Sequence, residues 1–307
     1  MSDRRPLDLV VHGTRASADG LREAVTELRA IGHAVRVHVT WERGDARRLA
    51  HRAAREAAGH GRGAVIAVGG DGTLNEVLNG VLLAARAGAD PAPVGVVPLG
   101  TANDFARQAG IPADPRAALA LAAAGEPTRV DVGRVNGRAF LNVSTLGAAA
   151  EVTSGTPPSA KQALGVLAYA VAGVRRLAAA DAPTTARVSG PGFSRELSFV
   201  LLAVGNARAT GAGTVVTPLA ELDDGLLDVC VVEPVGRASY AKLLLELRRG
   251  EHLEREGVHY VQTPWLRVEA AAPLAVNVDG EPIRARTLRY DVDPLAASVF
   301  VGRPAAG

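Results

Sequence analysis

Short apolar runs alternate with helical-period segments over the first 130 residues. Leu7 to Val11, Ala34 to Val39, Ala64 to Val68 and Val94 to Pro98 are apolar and rich in Val, as expected of strands buried on both faces of a parallel sheet. Between them, Leu21, Val25 and Leu28 share one helical face, a helix is expected from Asp45 to about Ala58, and Leu74, Val77, Leu78, Val81 and Leu82 define another. Asp114 to Ala124, closed by Gly125, is one more. Near Val130 the pattern changes. Arg129 to Val135 and Ala139 to Ser144 are extended stretches joined by Asn136-Gly137, a hairpin signal. Further strands are expected near Thr185–Val188, Phe193–Val204, Leu226–Val232, Val258–Glu269, Leu274–Val278 and Thr287–Asp291, with helices at Ser159–Ala180 and Arg237–Arg249. This pattern predicts an N-terminal parallel-sheet α/β domain over residues 1–133 and a C-terminal, mainly antiparallel β-sandwich domain over residues 134–307.

The chemistry gathers where strands end. Gly69-Gly70-Asp71-Gly72-Thr73-Leu74-Asn75-Glu76 follows an apolar strand and opens a helix. Glycine lets ligand atoms approach the backbone, and the first N–H groups of a helix are positive and lack internal partners, so such a turn can cradle phosphate. A carboxylate aimed at phosphates is repelled unless a cation lies between, so Asp71 implies Mg²⁺. A tight turn without a ligand meets the same pattern. Thr73-x-x-Glu76 is also a capping box, sufficient by itself to explain Glu76. Leu99-Gly100-Thr101-Ala102-Asn103-Asp104 repeats the strand, glycine, helix-start logic, and Thr101-x-x-Asp104 can cap its own helix. Two such turns at neighbouring strand ends would frame one cleft, at the sheet edge where open α/β folds bind ligands. Later, Asp223-Asp224-Gly225 opens a strand as a turn, and Asp279-Gly280 carries a type I′ signal.

GGDGTLNEVLNG followed by PLGTANDFAR resembles the catalytic domain of diacylglycerol-type lipid kinases. With VTWERGDA at residues 39–46 and DGEP at 279–282, the chain resembles bacterial YegS-type lipid kinases over nearly its whole length. The resemblance implies a nucleotide site at Thr40, Gly70 to Glu76 and Thr101, with Asp104 beside the phosphates. It makes Glu281 the general base for a lipid hydroxyl, facing the phosphates across an interdomain cleft. It places a structural Mg²⁺, with Ca²⁺ as an alternative, on Glu221, Asp224 and the Leu226 carbonyl. ATP would be the co-substrate, and a membrane glycerolipid the acceptor, phosphatidylglycerol ahead of diacylglycerol. The chain departs from the family at His12-Gly13-Thr14-Arg15, where an Asn and a Lys are usual; Arg15 can replace the Lys charge or be a solvated loop residue. A kinase of soluble alcohols or dinucleotides, and a silent nucleotide-binding regulator, remain alternatives.

Composition narrows the partners. The 307 residues are 48% hydrophobic, enough for two cores, and the formal net charge of +2 gives no basis for nucleic-acid binding. The slight cation excess favours transient contact with an anionic membrane surface. Cys230 is the sole cysteine and sits in an apolar run, so no intrachain disulfide forms. The seven histidines have no metal-ligand spacing. No apolar run reaches membrane-spanning length, and a cytoplasmic protein peripheral to the membrane is expected. P-loop, protein-kinase and nucleophile-elbow motifs are absent from the sequence. No residue pattern specifies an oligomeric state.

Overall fold

The computed structural model describes residues 4–58, 63–86, 91–147, 183–211, 213–234, 236 and 239–302. The helix expected over Ser159–Ala180 lies outside these residues. The chain divides into two compact units, Met1–Val130 with Leu295–Gly307, and Asp131–Pro294.

The first unit is built on β1 (Leu7–Val11), β2 (Val35–Val39), β3 (Ala64–Gly69) and β4 (Val94–Pro98), paired in parallel in the order β2-β1-β3-β4. Three of the four expected runs, β1, β3 and β4, are buried at every position, as strands covered on both faces must be. Edge strand β2 is buried only at Val35. Helices α1 (Leu21–Ala30), α2 (Asp45–Ala58), α3 (Asp71–Arg86), α4 (Asp104–Gln108) and α5 (Pro115–Ala124) follow the strands; α2 packs on α3, and α1 on α5. The order reverses between β1 and β3, so their following loops leave in opposite directions and open a crevice at the carboxyl edge. Asp8, fully buried in β1, is paired with Arg36 at 2.6 Å and His38 at 3.0 Å on β2. The sheet is completed from the far end of the chain. Val299 pairs with Val94, Phe300 N–H donates to the Val94 carbonyl, and Arg5 stacks 4.7 Å over the Phe300 ring.

The second unit holds β5 (Thr128–Val135, from Asp131), β6 (Arg138–Phe140), β7 (Val143–Leu146), β8 (Thr184–Gly190), β9 (Phe193–Phe199), β10 (Leu201–Gly205), β11 (Ala209–Thr210), β12 (Thr214–Val215), β13 (Leu227–Val232), β14 (Val258–Thr263), β15 (Trp265–Val278) and β16 (Glu281–Val299, to Pro294). Every pairing registered within it is antiparallel, with β14-β13-β10-β7-β15-β16 side by side. Alternation sorts the side chains. Leu202, Val204, Val229 and Val231 join Phe140, Leu266 and Tyr290 in the sandwich core. Ala203, Cys230 and Val232 face the other way, under Leu243 and Leu247 of α6 (Tyr240–Arg249). Both signalled hairpins form. Asn136 and Gly137 have φ 49° and 81°, Asp279 and Gly280 49° and 88°, as a type I′ turn requires.

The stretch expected as Val258–Glu269 is two strands, broken at Pro264, and β15 continues through a register shift between Glu269 and Leu274. β16 is far longer than the expected Thr287–Asp291 and crosses the unit boundary at Leu295, whose φ of 49° is a left-handed backbone unusual for leucine.

Candidate active site

In the first unit, the predicted residues gather at the carboxyl edge of the sheet. Leu74 N–H donates to the Gly70 carbonyl at 3.1 Å, so α3 begins at Asp71 and the N–H groups ahead of Leu74 lie outside its helical ladder. Gly70 meets the second glycine turn directly. A Cβ on Gly70 would lie 3.1 Å from Gly100 Cα, and one on Gly100 would collide with Gly70 Cα. Leu99 N–H donates to the Gly69 carbonyl at 2.8 Å, tying the two turns together. Gly72, by contrast, faces open space.

Asp71 reaches across this junction. Its Oδ2 accepts from Asp104 N–H and its Oδ1 from Phe105 N–H, both at 3.2 Å, so it caps α4 from 33 residues away. Each carboxylate oxygen thus serves a backbone donor at the start of α4. Asp104 is buried at the first position of α4, and its backbone meets the Asp71 carboxylate at this junction. Asn103, at φ 51°, holds the second turn: its side chain accepts from Gly100 N–H at 2.9 Å and donates to the Pro98 and Gly100 carbonyls. Thr101 is exposed beside it. The expected Thr101–Asp104 cap is therefore replaced by one from Asp71, because α4 starts at Asp104 itself.

The capping box at Thr73 does not form either. The helix starts at Asp71, three residues earlier than that template needs, so Thr73 lies inside it. Glu76 instead accepts from Gly44 N–H and Arg47 N–H, both at 3.3 Å, capping the start of α2. Asp45 turns back to accept from Trp41 and Glu42 N–H and pairs with Arg48 at 2.7 Å, rather than capping its own helix. These bonds, the Arg48 contact first, pull its carboxyl down to about 2. Leu74 and Asn75 are buried, Asn75 accepting from Asn79 at 3.2 Å. Thr40, at the end of β2, accepts from Gly13 N–H at 3.1 Å and so joins the β2 end to the loop after β1. In that loop, His12 bonds Thr14 Oγ1 at 2.9 Å.

In the second unit, Glu281 opens β16 directly after the Asp279-Gly280 turn and is partly buried. Asp279 fixes that turn. Its carboxylate, buried, accepts from Leu141, Asn142 and Val143 N–H at 2.8, 3.0 and 3.2 Å. Glu221, Asp224 and Leu226 share one loop, where Leu226 N–H donates to Asp224 Oδ1 at 3.0 Å. Burial lifts the Asp224 carboxyl above its usual range, the Leu226 bond opposes this, and the charges of Asp131 and Glu221 add to the rise. Asp131, fully buried in β5, accepts from Gly225 N–H at 2.6 Å. Asp228 is fully buried as well; its Oδ1 accepts from Tyr260 at 2.5 Å, and its Oδ2 has no hydrogen-bond partner. Burial raises its carboxyl too. Crowded carboxyls with an orphaned buried oxygen suit a hard cation. Among the described residues, no group of three His, Cys, Asp or Glu side chains is placed to hold a metal, so a cation here would need the Leu226 carbonyl beside Glu221 and Asp224. Asp131 and Asp228 have no motif. Their signal is a lone acid inside an apolar run, Val130-Asp131-Val132 and Leu227-Asp228-Val229.

Residues 9–135 match the diacylglycerol kinase catalytic domain, and residues 142–301 the YegS C-terminal NAD kinase beta sandwich-like domain. The chain belongs to the YegS-like lipid kinase family. It is 43% identical over 300 residues to a probable YegS-like lipid kinase of Pseudomonas aeruginosa PAO1, covering 97% of this chain and 95% of that one. It is 40% identical to one from Pseudomonas fluorescens Pf-5, covering 98% and 96%. The fold matches a diacylglycerol kinase from Bacillus anthracis str. Sterne with TM-score 0.74 over 100% of both chains, at 21% identity. As a YegS-like chain it is a kinase, and its paired glycine turns fall within the matched catalytic domain. No helix among the described residues is long and apolar enough to cross a membrane.

Proposed function

We propose that the protein transfers the γ-phosphoryl group of ATP to a hydroxyl of a membrane glycerolipid, phosphatidylglycerol ahead of diacylglycerol. One observation carries most of this: Asp71 and Asp104 meet where two glycine turns touch at the carboxyl edge of a parallel sheet. Two carboxylates beside a phosphate cradle suit a phosphate ligand only with a divalent cation between. The phosphates lie over Gly70 to Thr73, where backbone N–H groups hold them, and Thr40 and Thr101 line the nucleotide. Asp71 and Asp104 take the cation's side of the phosphates. When bound, Mg²⁺ neutralises phosphate charge and so lets an oxygen nucleophile approach.

Glu281 accepts the proton of the lipid hydroxyl as its oxygen bonds to the γ-phosphorus. The bond from that phosphorus to the β–γ bridging oxygen breaks, and ADP leaves with the electron pair. A structural cation on Glu221, Asp224 and the Leu226 carbonyl would relieve the crowding of Asp131 and Asp228. The lipid preference follows the family likeness, and the two family relatives are named as probable lipid kinases.

The experiment is incubation with γ-labelled ATP, Mg²⁺ and mixed phospholipid vesicles, beside Asp71→Ala and Glu281→Ala. The expected result is label in a lipid whose mobility identifies the acceptor, lost in both variants. ATP binding with no labelled lipid would overturn the proposal, and soluble acceptors would be tried next.

A further inference from the structure

Among the described residues, the edge of the first unit carries an exposed apolar row. Val37 and Val39 alternate along β2 and are 43% and 52% exposed; two residues on, Trp41 is 96% exposed. Among the described residues, β2 is the last strand of its sheet. Period-two geometry puts Val37 and Val39 on one side of the strand, with Trp41 continuing the row past its end.

The Trp41 segment is held firmly although its indole touches little. Trp41 N–H and Glu42 N–H are bound by the Asp45 carboxylate at 2.9 and 3.2 Å. Glu76, from the helix that begins at the glycine turn, binds Gly44 and Arg47 N–H. The loop carrying the indole is thus tied to the phosphate cradle, and both lie on the carboxyl edge of the sheet. Residues 41–48 carry exposed Arg43, Arg47 and Arg48 beside Glu42 and Asp45. Asp45 is already taken up by Arg48.

We propose that Val37, Val39 and Trp41 dock the enzyme on an anionic phospholipid bilayer, with the arginines on the headgroups. It rests on the lipid-kinase function only for its purpose: docking brings the edge that holds the glycine turns to the surface where the acceptor lies. The chemistry matches the occupant. Indole has an apolar body and one polar N–H, which places tryptophan at the headgroup level of bilayers. Guanidinium groups are drawn to anionic lipid. A second copy adding a strand to β2 is opposed by Arg36 and His38, which alternate with the valines and guard the edge. A nucleotide base would need a wall opposite the indole, and an almost fully exposed ring has none.

The test is flotation of the full chain with phosphatidylglycerol–phosphatidylcholine vesicles, without ATP. Trp41→Ala should weaken partition about tenfold, the lower end for losing one buried large apolar side chain, and Val37→Ser with Val39→Ser should weaken it further. In a Trp265→Phe background, Trp41 emission should shift to the blue on vesicles and be quenched by brominated lipid. Trp41→Ala should keep its phosphoryl transfer to detergent-dispersed lipid while losing it on vesicles. Unchanged partition in Trp41→Ala, or no binding of the wild type, would overturn the proposal. So would a change of oligomeric state by sedimentation, which would assign the row to a second copy, or a loss of nucleotide affinity without vesicles. If Trp41-dependent docking is seen but no lipid is phosphorylated in any form, the docking stands and the proposed reaction falls.

Discussion

Two Asp-Gly pairs, one in each unit, use the same dipeptide for opposite ends. Asp71-Gly72 starts a helix after a parallel strand; Asp279-Gly280 turns an antiparallel hairpin. Asp71 is partly exposed and accepts the Asp104 and Phe105 N–H groups at the glycine junction. Asp279 is buried and accepts three, which commits it to holding the corner at residues 141–143. What a carboxylate can do chemically is thus set by where its donors hold it and how much water reaches it, not by its neighbour in sequence.

Substitution should separate the two. Asp71→Ala should reduce phosphoryl transfer by about a thousandfold, near 4 kcal/mol of transition-state stabilisation. Its stability in urea should fall by only about 1 kcal/mol, the value of a lost cap. Asp279→Ala should do the reverse first: three buried donors lose their acceptor, and urea unfolding should show a loss of about 2–4 kcal/mol. An Asp279→Ala protein as stable as the wild type would erase the contrast.

The glycines sharpen it on a smaller scale. Gly100→Ala drives a methyl group into the Gly70 backbone and should destabilise by about 1–3 kcal/mol. Gly72→Ala meets open space, so its stability should change by less than about 0.5 kcal/mol, and a loss of nucleotide affinity would then report on the cradle alone. The smallest effect belongs to Asp45. Its carboxyl is held near 2 against an ordinary 3.8, so its contribution is whole above about 3.8 and lost as pH falls through about 2. Acid titration of stability should be flatter over that window in Asp45→Asn.

Much of this was legible in the sequence because it is local. Strands β1, β3 and β4 follow from runs of buried apolar residues, and both type I′ hairpins follow from Asn136-Gly137 and Asp279-Gly280. The glycine turns could be placed at strand ends for the same reason. What the sequence did not disclose is long-range partnership. Glu76 satisfies a capping template with Thr73, yet its oxygens serve the start of α2. Asp104 lies in one too, yet the cap of α4 comes from Asp71. Local templates count residues along the chain, while an unpaired N–H accepts whichever oxygen the packing brings near. The same applies to residues 295–302, whose apolar character does not say which sheet they will join.

That last segment has a consequence for how the protein is made. The first unit closes its sheet with Val299 and anchors it with Phe300 against Arg5, residues translated only after the whole of Asp131–Pro294. At ribosomal speeds those intervening residues take roughly ten to thirty seconds to emerge. Through that interval the nascent N-terminal sheet waits with the β4 edge unfilled, open to chaperones and to strand-pairing errors. A stop codon shortly before Val299 would therefore damage the first-made unit more than the last-made one.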